Sequence, residues 1–128
     1  MHKILLTTFS LAILWGCASA PVPVDENSFS FGNRTYNQAS ACTVKAVIAA
    51  GFTLENPKKT GQIRGSLIPK DVIDGNKFVG TFTLDEKTKT VNARIEKHLG
   101  SNLGLMFDNK DEIDVLLNKF QDSYESCL

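Results

Sequence analysis

The sequence predicts an α+β domain of two layers, an antiparallel sheet of three to four strands with N- and C-terminal helices on one face in the order α-β-β-β-α. Three observations carry this expectation. Apolar residues recur at helical spacing over residues 36–50 and again over 113–127. Between those stretches they alternate with polar residues at a period of two, broken by turn clusters. Each helical stripe carries one cysteine, Cys42 in the first and Cys127 in the last.

The first helix runs from about Tyr36 to Ala50, with Ala39, Cys42, Ala46 and Ala49 at helical spacing and Val47 and Ala50 widening the stripe. Gly51 stands where a left-handed C-cap is expected, and Phe52 is placed for the apolar contact that follows such a cap. Beyond it, Phe52 to Glu55 reads as a short first strand and residues 56–61 as a turn. Gln62 to Ile68 forms the next strand and Pro69 stops it. Asp74-Gly75-Asn76 signals a tight turn. Lys77 to Asp85 places Phe78, Gly80, Phe82 and Leu84 on one side, and Thr90 to Glu96 places Val91, Ala93 and Ile95 inward. After a loop over 98–104, Asp108 and Asn109 are N-cap candidates for a last helix, and Asn109 with Glu112 has the form of a variant capping box. Acids at Asp111, Glu112 and Asp114 suit its positive end. Ile113, Leu117, Phe120, Tyr124 and Cys127 form one stripe along it.

With 128 residues, 42% of them apolar and 22% charged, the chain has the composition of one ordinary globular domain. Basic and acidic residues balance at fourteen each, which gives no reason to expect a nucleic acid as partner. The charge is unevenly spread, however. Residues 58–98 hold nine Lys and Arg against five acids, and residues 99–128 hold two against six.

The N-terminus reads as an export signal. Met1-His2-Lys3 is a short positive start, and residues 4–15 are an apolar stretch of twelve, too short for a bilayer span of about 20 residues. Ala18-Ser19-Ala20 has the form of an ordinary secretory cleavage site, but Pro21 follows it. Leu14-Trp15-Gly16-Cys17 resembles the lipobox of bacterial lipoproteins, with Trp15 departing from the small residue usual at that place. The resemblance implies cleavage before Cys17 and a lipid on its sulfur, and, because Ala18 and not Asp follows, residence at the outer membrane facing the periplasm or the surface. The resulting division is a signal peptide over 1–16, a lipid tether over 17–35 and the α+β domain over 36–128. Removing the leader leaves thirteen basic against fourteen acidic residues, a net charge of −1. Phe29 and Phe31 within the tether either rest on the domain or form a short edge strand.

A lipidated Cys17 would leave Cys42 and Cys127 to pair in an oxidising compartment, with no free thiol remaining. The alternative is two unrelated buried thiols. Closing a loop of that length would stabilise the domain by roughly 4.5 kcal/mol in the chain-entropy model. No CxxC or Cys/His cluster calls for zinc, and the sequence implies no cofactor.

Candidate functional residues are few. His98 is the histidine of the mature chain, with no G-x-S-x-G, HExxH or paired-carboxylate motif to give it a catalytic partner. Gly100 and Gly104 lack the spacing of a phosphate loop, and Asp71 to Asn76 lacks that of an EF-hand. The outward strand positions Arg64, Lys77, Thr81, Thr83, Asn92 and Arg94, with Gln62, form a basic and polar face suited to a protein or an anionic polymer of the envelope. The expected function is thus a non-catalytic, membrane-anchored accessory protein. The other reading is a small hydrolase, or an inhibitor of one, with its site near His98 and the loop 99–109. Replacing Cys17 with Ser should release the protein from membranes, since lipid chains gain roughly 0.8 kcal/mol per buried CH₂. Intact mass spectrometry of the native protein should show a lipid-modified Cys17 as first residue; an unmodified Ala18 or Pro21 there would refute lipidation.

Overall fold

The computed structural model describes residues 24–56, 59–69, 77–98 and 110–127. The leader, Cys17, the start of the tether, the turn at 71–76, the loop 99–109 and the N-cap candidates Asp108 and Asn109 lie outside the described residues.

Helix α1, Tyr36–Ala49, begins with a reciprocal capping box. The Thr35 hydroxyl accepts from the Gln38 N–H at 3.2 Å while the Gln38 side chain accepts from the Thr35 N–H at 2.9 Å. At the other end Gly51 takes φ +105° and donates its N–H to Ile48 O at 2.9 Å. That is the left-handed exit expected of this glycine. The buried stripe is Ala39, Cys42, Thr43, Ala46, Val47 and Ala50, whereas Ala49, expected inside, is exposed. Thr43 takes a core position because its hydroxyl donates to Ala39 O at 2.7 Å, which leaves no polar group unsatisfied. Helix α2, Lys110–Ser126, buries Ile113, Leu116, Leu117, Phe120 and Tyr124 as one stripe.

The strands are β1 Val24–Ser30, β2 Thr53–Glu55, β3 Gln62–Leu67, β4 Lys77–Asp85 and β5 Thr90–His98. They form one antiparallel sheet in the order β1-β5-β4-β3-β2. Among the described residues the sheet therefore has five strands, not three to four, and the order of elements is β-α-β-β-β-β-α. The additional strand comes from within the stretch expected to be a tether. Its text, VDENSFS, shows no alternation of apolar and polar residues, because an edge strand needs only one inward anchor here, Phe29, and the backbone ladder to β5 supplies the rest.

Both helices pack on one face of the sheet, α1 over β2, β3 and β4 and α2 over β1 and β5. The core between the layers is aromatic. Phe82 lies edge-on to Phe52 at 6.0 Å and stacked on Phe120 at 4.8 Å, and Phe120 stacks on Tyr124 at 5.7 Å. These rings approach the sheet because Gly65 and Gly80 face each other in register beneath them. A Cβ on Gly80 would meet the Phe82 ring at 2.6 Å, and one on Gly65 would meet Phe52 Cβ at 2.9 Å.

Cys42 and Cys127 form a disulfide with Cα atoms 5.6 Å apart, joining α1 to the residue after α2. The pairing and the neighbouring helices expected of the sequence are both present. Replacing both cysteines with Ala should lower the unfolding free energy by roughly 2–5 kcal/mol. Guanidinium unfolding curves measure this, and an unchanged midpoint would contradict the role given to the bond.

Candidate functional site

Two-residue alternation sends every second strand residue to the face that the helices leave open. All five binding-face candidates lie there. Arg64, Thr81 and Arg94 form one row across β3, β4 and β5, with Glu55 of β2 beyond one end and Glu26 of β1 beyond the other. Asn92 lies in the next row, between Thr83 and Ser28, with Gln62 beyond Thr83. Lys77 faces His98 at the far end of the β4–β5 pair.

The face is not basic in balance, because acids come with the cations. Arg94 donates to Glu96 at 3.0 Å and approaches Glu26 at 3.8 Å, and Glu96 also contacts His98 at 3.2 Å. The hydrogen bond from Arg94 is the main cause that holds the Glu96 carboxyl below its ordinary value; burial opposes it and His98 adds to it. Glu26, Glu55, Asp85 and Glu96 thus stand against Arg64, Lys77 and Arg94 on this face. Glu26, on the segment expected to be a tether, enters the face only through strand pairing. Exposed pairs of this kind contribute about 0.2–1 kcal/mol, so they order the surface more than they stabilise the fold.

His98 lies on the same open face and touches Glu96, a carboxylate already committed to Arg94. Its neighbouring loop, 99–109, lies outside the described residues. Lys97 points the other way, is buried, bonds Glu112 at 3.3 Å and lies 5.5 Å from the Phe78 ring centre. The alternation through Ile95 is the signal for its inward position.

Two open clefts lie at the β1 end of the molecule. One, of about 440 Å³, runs between β1 and the last turns of α2. The other, of about 500 Å³, lies beside the start of α1, near Tyr36, Glu86 and Lys89. Arg34 borders both. Its guanidinium donates to Tyr124 O at 2.7 Å, Cys127 O at 2.6 Å, Glu125 O at 3.3 Å and Phe31 O at 3.2 Å, and stands 4.6 Å over the Tyr124 ring. A distant residue thus caps the C-terminal carbonyls of α2, an end that has no basic residue in its own last turn.

No protein-family model and no curated protein matches the chain. The site therefore stands on its geometry.

Arg34→Met keeps most of the side-chain volume and removes all these donors, so it should destabilise the domain by about 2–3 kcal/mol. Arg34→Lys should recover only part of the loss, because an ammonium cannot reproduce the planar fork. Thermal melts of the two variants measure both effects; equal stability of Arg34→Met and wild type would remove Arg34 from the frame.

Proposed function

We propose that the protein is a lipid-anchored accessory protein of the bacterial envelope, held at the outer membrane through Cys17 and binding another envelope component by the open face of its sheet. The observation that supports this most directly is the burial asymmetry. Both helices pack on one face, and no described helix packs on the other, where Val79 is buried among its strand neighbours and the polar side chains around it stay at least partly exposed. The centre of that open face is made of short polar side chains, Thr81, Thr83, Asn92 and Ser28, with alternating charges in the row beside them. Interspersed charges of both signs favour a protein with complementary charges over an anionic polymer, which would meet Glu26, Glu55, Asp85 and Glu96 along with the cations. The lipobox resemblance of Leu14-Trp15-Gly16-Cys17 supplies the anchor and the compartment, and an oxidising compartment suits the Cys42–Cys127 bond.

Photo-crosslinking in the native envelope tests the face. A crosslinking side chain at Thr81 or Asn92 should yield one discrete adduct, and the same group at Ile48, exposed on α1, should not. Arg64→Glu should weaken the adduct while changing stability by only about ±0.5 kcal/mol, as surface changes do. Adducts equally strong at Ile48, or none at either face position, would refute the reading.

A further inference from the structure

The sheet ends differently at its two edges. On one side β2 is three residues long. On the other, β1 pairs with β5 through seven consecutive residues without a bulge, and among the described strands none pairs with its second edge. Natural edge strands are usually blunted by proline, lysine, a bulge or shortness, because a row of free N–H and C=O groups is a template for another strand. Val24–Ser30 has no proline, lysine or bulge; its guards are the inward Asp25, whose carboxylate accepts from the Glu26 N–H at 2.9 Å, and the Tyr124 hydroxyl on Ser30 O, so the outer row is only partly guarded.

Beside this edge runs the cleft of about 440 Å³, walled by β1 on one side and by Gln121, Tyr124 and Glu125 of α2 on the other. Phe29, at its floor, lies 5.5 Å from Phe120 and 6.3 Å from Tyr124 and is only partly buried. An added strand would lay one apolar side chain against this partly open ring. The charge beside the groove is acidic by one, three carboxylates against Arg34 and Arg94. Asp25 lies on the helix side of β1, Glu26 on the open side and Glu125 on the helix wall. Of the basic groups within reach, Arg34 has its donors directed to backbone carbonyls, and Arg94 bonds Glu96 and approaches Glu26 at 3.8 Å.

We propose that the free edge of β1, with the groove between β1 and α2, accepts an extended basic segment of a partner protein as a sixth strand. This is strand addition at a sheet edge, in which the backbone ladder supplies affinity and alternate side chains supply choice. The matching segment has Lys or Arg at positions that meet Asp25, Glu26 and Glu125, and one apolar residue that meets Phe29. A second copy of this chain is a poorer occupant. Antiparallel pairing of two β1 strands about Asn27 would set Asp25 of one copy opposite Phe29 of the other, close to that copy's Glu125, and oppose like charges. The site is separate from the open face and does not rest on the function proposed above.

Heteronuclear NMR of the labelled protein with its native N-terminus tests the proposal, using capped seven-residue peptides. In antiparallel register, the Thr-Val-Thr-Lys-Lys-Lys-Thr peptide sets Val opposite Phe29 and its three Lys opposite Asn27, beside Glu125, Glu26 and Asp25, and should shift amide signals of Val24–Ser30 and of Gln121–Glu125. The Thr-Val-Thr-Glu-Glu-Glu-Thr peptide should bind at least about tenfold more weakly, and raising salt from about 0.05 to about 0.5 M should weaken the basic peptide. N-methylating one alternate set of its amides should abolish binding while methylating the other set spares it, because a strand pairs through every second N–H. Asp25→Lys with Glu125→Lys should reverse the preference between the peptides, and Glu125→Gln alone, the milder change, should weaken the basic one. Equal binding of both peptides, equal tolerance of both methylation patterns, shifts confined to Arg64, Thr81 and Asn92, or self-association through β1 in place of peptide binding would each overturn the proposal.

Discussion

The end of helix α2 is where three parts of the chain are tied together, and the rest of the structure depends on that junction. The disulfide fastens Cys127 to the middle of α1, Arg34 caps the carbonyls of residues 124, 125 and 127, and the Tyr124 hydroxyl donates to Ser30 O at 3.3 Å. Tyr124 is itself buried, and that burial pushes its phenol up, while the charge of Arg34 pulls the other way. The strand before α1, the turn leading into it and its central turn all meet the same few residues. A helix with no basic residue in its last turn ends in carbonyls that need donors, and here the donor comes from 90 residues earlier in the chain.

That junction determines which surfaces are left for other molecules. With α2 held over β1 and β5, and α1 over β2 to β4, the helices occupy one side of the sheet completely enough to bury an aromatic core. The opposite side keeps its Thr, Asn and charged residues, and the β1 edge keeps a groove because α2 stands beside it without closing over it. Gly65 and Gly80 are part of the same arrangement. Without a Cβ at either position Phe52 and Phe82 settle directly on the sheet, which lets α1 lie close to β3 and β4.

The charge pattern shows how far a one-dimensional reading reaches. Arg64, Lys77 and Arg94 are recognisable as outward residues by alternation alone, and they suggest a basic surface. Pairing adds the acids. Glu26 meets Arg94 only because β1 joins β5, and Glu55 meets Arg64 only because β2 joins β3. Neighbours across a sheet are set by register between segments distant in the chain, which no local pattern encodes.

What the sequence by itself determined was the class of the domain, two helices and a meander of strands, the inward set Phe78, Phe82, Leu84, Val91, Ala93 and Ile95, the left-handed exit at Gly51 and the pairing of Cys42 with Cys127. Each of these rests on periodicity, on a local backbone requirement or on counting cysteines, and such signals are carried by neighbouring residues or by residue type. Only the tertiary structure decided that Val24–Ser30 is a strand, that Ala49 yields its place to Thr43, that Lys97 is buried and that Arg34 caps a distant helix. In each of those cases the stabilising partner lies elsewhere in the fold or the polar group is satisfied by backbone; Phe29 left an edge strand as one of two readings and alternation through Ile95 points Lys97 inward, but neither signal names the partner that decides it.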